Sequence, residues 1–243
     1  MKKNIVVAGN SPSLAQIDYR RLPEHWDVFR CNRFMLEDKY YLGNKVDYLM
    51  SGGGKRYDTF LLAKAYETYG FYQLNKVYCT GLIGDNIISK LYTKYYIEVD
   101  DSSKEELSEF ITKYRKEHFG DRDIWYNSGT GALINAVYCG YNEIYLTGIE
   151  FQSVDKWIYA YEDPQKPMNQ MDFDFYHDLN FDKAIIKFIN SLSGINLYSI
   201  VEDSVLSTMI PLAPLQNKNP YIPTKKLVCQ KFQNKIDKEP LGI

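Results

Sequence analysis

Asn4-Ile5-Val6-Val7-Ala8-Gly9-Asn10-Ser11-Pro12-Ser13-Leu14 carries more structural information than any other stretch of this chain. Ile5 to Ala8 form an unbroken apolar run rich in β-branched side chains, the pattern of a strand covered on both faces in a parallel sheet. Such a strand belongs near the centre. Gly9 lets the backbone turn tightly, Asn10 and Ser11 add short polar side chains, and Pro12 suits the first turn of a helix capped by Ser11. A strand that runs into a helix N-terminus at the carboxyl edge of a sheet offers N–H groups and a positive dipole end to an anion, phosphate above all. A plain strand-loop-helix junction without a ligand fits these eleven residues equally well.

The rest of the composition narrows the choices. With 243 residues the chain can bury a sizeable core in one domain, with or without a smaller lid. Its 29 basic and 31 acidic residues leave a formal charge of -2, so no broad basic surface for nucleic acid is expected and any anion site must be local. Cys31, Cys79, Cys139 and Cys229 show no C-x-x-C spacing, which points away from a zinc site or redox pair and towards a reducing cytoplasm. Met1-Lys2-Lys3 runs straight into the first strand, leaving no room for a signal peptide, and no run of apolar residues is long enough to span a bilayer.

Further strand and helix signals extend outward from this start. Residues 26–32 read as a second strand ending in Asn32; beside the first in a parallel sheet, it would bring Asn10 and Asn32 to one edge as neutral donors to a phosphate or sugar. A third strand is expected over 46–50, before the glycine-rich stretch Ser51-Gly52-Gly53-Gly54-Lys55-Arg56, which is phosphate-friendly but lacks the G-x-x-x-x-G-K-[ST] pattern. Helix is expected over 59–69, strands near 76–80 and 95–99, and a helix over 104–118 entered through Asp100-Asp101-Ser102-Ser103. Asn127-Ser128-Gly129-Thr130-Gly131 opens an apolar helix whose N-terminus suits a carboxylate or phosphate, and residues 142–151 form another buried strand with Gly148 near its end.

Residues 152–176 are polar and aromatic, contain Pro164 and Pro167, and lack periodicity. Loops of about 20 residues inside a domain are uncommon unless they have work to do, so this one is expected to be a lid closing over a substrate. His177 follows it and precedes an amphipathic helix with Phe181, Ala184, Ile185, Phe188 and Ile189 inward. A strand over 195–200 and a short helix over 204–209 complete the domain. The tail from 211 to 243 carries Lys218, Lys225, Lys226, Lys231, Lys235 and Lys238, which suits either solvation or contact with an acidic membrane surface. The expected layout is therefore one α/β domain over 1–151 and 177–210, a lid over 152–176 and a tail over 211–243.

Four spaced segments, Val7 to Leu14, Val28 to Phe34, Glu37 to Gly43 and Glu143 to Phe151, together resemble the bacterial sialyltransferases of glycosyltransferase family 42, typified by the Campylobacter lipooligosaccharide enzymes. The resemblance implies a Rossmann-like parallel-sheet domain of the GT-A-like kind. It also implies inverting transfer of sialic acid from CMP-sialic acid to a glycan hydroxyl, with no metal and no other cofactor. Carried over residue by residue, it puts Asn10 and Asn32 near the donor phosphate and sugar, with Gly9 and Ser11 in the same turn. Asn127, Ser128 and Gly129 fall at the carboxylate of the donor sugar, and Gly148, Ile149 and Glu150 at the nucleoside. Tyr159 matches a lid tyrosine on the leaving phosphate, and His177 the general base. Self-association into a homo-oligomer is implied as well, while a cytoplasmic place, peripheral at the inner membrane, is expected from the cysteine usage and the lysines of the tail.

The chain departs from the family pattern at three places. A second phosphate tyrosine falls on Gln152, for which Tyr161 could fill in; an asparagine falls in the Ser51-Gly52 loop; an arginine falls on Trp125. Two other readings stay open on the sequence: transfer of another CMP-activated acid sugar of the pseudaminic, legionaminic or Kdo type, and a non-catalytic nucleotide- or glycan-binding module. The pair Asp172-Phe173-Asp174 imitates a D-x-D metal motif, but it lies in the expected lid, and no metal is expected there.

Overall fold

β1 (Asn4–Ala8) does lie inside a sheet, third from one edge, and both its neighbours run parallel to it. The computed structural model describes residues 3–51, 56–79, 96–97, 105–151, 159–161 and 177–226. Within them the chain forms β1, β2 (Asp27–Cys31), β3 (Lys45–Ser51), α1 (Arg56–Thr68), β4 (Gln73–Cys79), β5 (Tyr96–Ile97), α2 (Glu105–Phe119), α3 (Ser128–Tyr138), β6 (Glu143–Thr147), α4 (Leu179–Ser191) and β7 (Asn196–Ser199). The seven strands lie in the order β5-β4-β3-β2-β1-β6-β7. This is the Rossmann-like α/β architecture that the family resemblance implies, built on the parallel sheet expected from the apolar run of β1.

Strand alternation sorts the core into two layers. Ile5, Val7, Phe29, Ile144 and Leu146 face α3 and α4, whereas Val6, Ala8, Val28 and Tyr145 face Leu14, Leu22, Ile200 and Ala213 on the other side. α4 is fixed by its apolar stripe: Phe181, Ile185, Ile186 and Ile189 are fully buried, each contributing about 1.5–3 kcal/mol. α3 is apolar on nearly every side and is buried from Gly129 to Val137. The parallel order reverses between β2 and β6, on either side of β1. In open α/β sheets that reversal opens a crevice at the carboxyl ends of the strands, here beyond Ala8 and Thr147.

Two expectations need correction. After Gly9 the chain forms no α-helix but a single 3-10 stretch, Pro12–Gln16, and Ser11 stands at its N-cap without a side-chain capping bond. The local donors are used elsewhere: Ser13 N–H donates to a Glu150 carboxylate oxygen, and Ser11 N–H to Gly148 O at 3.0 Å. Five residues of 3-10 helix carry little dipole, so the positive helix end expected here is missing. The second correction concerns residues 211–226, which the sequence placed in a solvated or membrane-facing tail. They lie along the domain instead, with Ala213 N–H on Ser199 O at 2.9 Å, Gln216 N–H on Arg20 O at 2.8 Å and Lys226 N–H on Asp38 O at 2.9 Å.

Lys226 shows why this segment stays down. It is buried, its ammonium donates to Met35 O and lies 5.0 Å and 5.3 Å from the ring centroids of Tyr66 and Tyr72, and burial lowers its pKa to about 8. Tyr72 hydroxyl donates to Glu37 at 2.8 Å, and Glu37 pairs with Arg30 at 2.8 Å, both side chains being essentially inaccessible. Buried charges survive only when paired and hydrogen-bonded, and this cluster meets that demand with residues from β2, the following turn, the β4 entrance and residue 226. The glycine-rich 52–55 loop, Asp100 to Ser103, Asp172 to Asp174 and the lysines beyond 226 lie outside the described residues.

Candidate active site

Two glycines bring the carboxyl ends of β1 and β6 into contact. Gly9 N–H donates to Thr147 O at 3.0 Å, and Gly148, at a φ of +66°, returns its N–H to Ser13 Oγ at 3.0 Å. A Cβ on Gly9 would sit 2.1 Å from Gly148 O, and one on Gly148 2.5 Å from Gly9 O. Only two residues without side chains can cross here. Thr147 Oγ1 donates to Ser13 O at 3.3 Å, completing a knot of main-chain and hydroxyl bonds at the mouth of the crevice.

The polar side chains singled out in the sequence gather around this knot. Asn10 is buried and donates from Nδ2 to Cys31 O at 3.0 Å, while its Oδ1 is buried without a partner among the described residues. An unpaired buried oxygen at a crevice mouth is a place for a donor arriving from outside. Asn32 sits at a φ of +45°, which an asparagine tolerates, and its Nδ2 donates to Ser128 Oγ at 3.0 Å. β2 thus reaches across to the first turn of α3.

That turn is built by Asn127, whose side-chain oxygen accepts from Thr130 N–H at 2.9 Å in an N-cap. Ser128 begins the helix, and Gly129 passes so close to Ile149 that a Cβ would meet its Cγ1 at 3.0 Å. Cys31 lies beneath, its thiol donating to Ser128 O at 3.4 Å and its pKa pushed up to about 12 by burial, which makes it packing rather than a nucleophile. Ala160 N–H donates to Asn10 O at 2.9 Å, so Tyr159 and Tyr161 flank the Asn10 turn, their ring centroids 5.6 Å apart. Tyr161 is buried and donates to Arg33 O at 3.0 Å.

His177 forms a bridge with Trp125, two residues ahead of the Asn127 cap, and its Nδ1 lies 3.1 Å from Trp125 O. A carbonyl can only accept, so Nδ1 carries the hydrogen and the basic lone pair falls on Nε2. Burial lowers the imidazole pKa from 6.5, keeping the ring neutral at pH 7. Asp178 caps α4 by accepting from Asn180 N–H at 2.8 Å and Phe181 N–H at 2.9 Å, which fixes the start of the helix next to His177. Trp125 is 37% exposed, and the Arg115 guanidinium stands 4.5 Å from its ring centroid. A cation from α2 therefore covers the indole at the position where the family resemblance has an arginine.

Asn10, Ser11, Asn32, Asn127, Ser128, Gly129, Gly148, Ile149, Glu150, Tyr159 and Tyr161 thus share one edge of the sheet, with His177 tied to the segment that leads into the Asn127 cap. Gln152 and most of the expected lid lie outside the described residues. Two residues escaped the sequence reading, and a third does more than it was assigned. Ser13 stitches the β1 turn to Gly148, a long-range role that a serine after a proline does not announce. Glu150, assigned to the nucleoside-binding turn, also holds Ser13 N–H. Asp182 is fully buried and accepts from Asn127 N–H at 2.9 Å, with burial pushing its carboxyl up to about 7. Its signal was present, since it falls on the same stripe of α4 as Ile185, Ile186 and Ile189. Among the described residues no cluster of His, Cys, Asp and Glu could hold a metal ion, and no helix is long and apolar enough to cross a membrane.

Known proteins agree with this geometry over nearly the full chain. CstII from Campylobacter jejuni, solved with the substrate analogue CMP-3FNeuAc, superposes with a TM-score of 0.77 at 28% identity, covering 98% of this chain and 99% of that one. CST-II solved with a trisaccharide acceptor and CMP gives 0.75 at 28% identity, covering 97% and 99%. The monofunctional alpha-2,3-sialyltransferase Cst-I from Campylobacter jejuni gives 0.76 at 27% identity, covering 97% and 94%. An uncharacterized protein of Haemophilus influenzae is 30% identical over 108 residues, a match covering 41% of this chain and 46% of that protein, so the alignment spans about half the length of this curated relative. A family model described as alpha-2,3-sialyltransferase (CST-I) matches residues 3–238, and the chain belongs to that family of sialyltransferases.

Proposed function

We propose that this chain transfers sialic acid from CMP-sialic acid to a sugar hydroxyl of a cell-surface glycan such as lipooligosaccharide, with inversion and without a metal. The observation that carries the reading is the lacing of His177 to the Trp125–Asn127 segment beside a crevice rimmed by neutral donors. In this reading the acceptor oxygen attacks the anomeric carbon on the face opposite CMP and its proton passes to His177 Nε2. The bond from the anomeric carbon to the phosphate oxygen breaks, and its electron pair leaves with CMP. A CMP phosphate carries less charge than a sugar diphosphate, so the hydroxyls of Tyr159 and Ser11 and the second Nδ2 hydrogen of Asn10, with Tyr161 nearby, can stabilise its departure. Ser128 and Gly129 at the start of α3 would receive the carboxylate of the donor sugar. Homo-oligomer formation and contact with the inner membrane through the lysines beyond 226 belong to the same reading.

The test is incubation of the purified protein with CMP-sialic acid and a panel of galactosides and sialosides, in chelator, with product linkage determined. CMP release and a sialylated product are expected without added metal. Turnover that depends on a divalent ion would overturn the metal-free reading. Turnover with pseudaminic, legionaminic or Kdo-type donors alone would reassign the sugar, and the absence of any donor hydrolysis would mark a binding module. Tyr159→Phe should lower both transfer and acceptor-free hydrolysis about 10- to 100-fold, the weight of one hydrogen bond to a charged group. A loss confined to transfer would take Tyr159 off the phosphate.

A further inference from the structure

Asp182 has no part in the reaction just described, yet it is a carboxyl placed with zero exposure between the two halves of the site. Its Oδ1 accepts from Asn127 N–H at 2.9 Å. That N–H belongs to the N-cap residue and lies outside the helix, so the α3 ladder cannot satisfy it and an acceptor must come from another element. α4 supplies it. On the same segment, two residues earlier, Trp125 O binds His177 Nδ1 at 3.1 Å. Residues 125 to 127 are therefore laced to the base-bearing segment at both ends, once through His177 and once through Asp182.

The remaining polar atoms make the arrangement unusual. Asp182 Oδ2 and Thr130 Oγ1 are both buried with no hydrogen bond of ordinary length among the described residues, yet the Thr130 hydroxyl lies close enough to Asp182 to pull its carboxyl down against the effect of burial. A buried carboxyl is costly, and this one faces the Asn127 N–H and the Thr130 hydroxyl, both at the start of α3. Asn127 itself caps α3 through Thr130 N–H at 2.9 Å, and Ser128 Oγ accepts from Asn32 at 3.0 Å. Moving Asn127 would carry Ser128 and Gly129 with it.

We propose that Asp182 is a positioning residue that fixes the first turn of α3, and with it Ser128 and Gly129, against the helix segment that carries His177. It thereby sets where the carboxylate of the donor sugar is received. The inference rests on the donor reading given above. The clamp holds whether the acid is ionised or neutral, because a proton on Oδ2 leaves Oδ1 free to accept from Asn127.

The test compares two ligands on the full chain: CMP, which lacks the sugar carboxylate, and the 3-fluoro analogue of CMP-sialic acid, which has it. Asp182→Ala should weaken the analogue about tenfold or more while changing CMP affinity less than about twofold, since a turn misplaced by a fraction of an ångström loses oriented contacts first. Asp182→Asn, whose side-chain oxygen can still accept from Asn127 N–H, should restore the ratio. A residue that only stabilised the fold would move the two affinities together. Should the alanine variant not fold, Asp182→Ser, which falls short of the same N–H, gives the same comparison. An unchanged ratio in the loss variant, with tight binding of the analogue by the wild type, would overturn the inference alone. A wild type that fails to bind the analogue would overturn the donor reading and this inference with it.

Discussion

Replacing His177 by alanine is expected to lower sialyl transfer by about 10²–10⁴-fold, the usual worth of general-base catalysis, while CMP affinity stays nearly unchanged. The imidazole is held on the backbone of Trp125 and Tyr126, with Nδ1 3.1 Å from Trp125 O, so its loss removes Nε2 without taking away any group that lines the Asn10 turn. The wild-type rate should also report on this ring. Only the neutral ring can take the acceptor proton, and burial shifts its pKa below 6.5, so transfer should be flat at neutral pH and fall on the acid side with an apparent pKa under 6.5. The same sign applies to stability: a ring buried neutral favours the fold above its unfolded pKa and loses that contribution as pH drops. Transfer retained by His177→Ala across pH 6 to 8 would remove histidine as the base and bring Asp172 and Asp174 forward as candidates.

The second large effect concerns the fold itself. Gly9→Ala and Gly148→Ala are each expected to remove about 4 kcal/mol or more of stability, against a typical total of 5–15 kcal/mol. The added Cβ would lie 2.1 Å from Gly148 O in the first variant and 2.5 Å from Gly9 O in the second, and both obstacles are backbone that cannot rotate aside. The turns must part. That breaks the bonds of Gly9 N–H to Thr147 O and Ser11 N–H to Gly148 O, each worth about 0.5–1.5 kcal/mol, in addition to about 1–3 kcal/mol of overpacking. Gly148 adds about 1–2 kcal/mol more because its φ of +66° disfavours any L side chain. Gly43→Ala is the control: its φ is +80° but a Cβ there meets nothing within 4 Å, so only the backbone term of about 1–2 kcal/mol applies. Denaturant midpoints of the three variants decide the matter, and a Gly9→Ala midpoint equal to that of Gly43→Ala would refute the crossing argument.

Local pattern made the core elements legible. The β-branched run of β1, the apolar length of α3 behind an asparagine cap and the stripe of α4 each carry their own secondary structure, and each forms where the periodicity placed it. Asn10 and Asn32 could be set side by side once β1 and β2 were taken as parallel neighbours. What stayed hidden depends on partners far away in sequence. No property of Pro12 to Gln16 reveals that Glu150 takes the Ser13 N–H and that the turn therefore stops at one 3-10 stretch. Lys226 read as one more lysine of a solvated run because its binding site, Met35 O between two tyrosine rings and near Glu37, is assembled from residues more than 150 positions earlier. Asp182 was hidden differently. It broke the apolar stripe of α4, and a lone acid on a core face is a local contradiction that only a tertiary partner, Asn127 N–H, explains.

The place of β1 has a consequence for how the protein comes into being. β1 leaves the ribosome before either of its partners, and β2 soon covers one of its edges. The other edge waits for β6: Ile5 pairs with Ile144, so more than half the chain is translated before the middle of the sheet is closed. During that interval a strand of Ile5, Val6, Val7 and Ala8 presents open backbone donors and acceptors, the template on which chains mispair. The crevice between β1 and β6 exists only from the moment of that late pairing, and His177 follows later still, just ahead of α4. A partly translated chain therefore has neither half of the site in working order, and the capacity to hold a donor sugar is acquired in one late step.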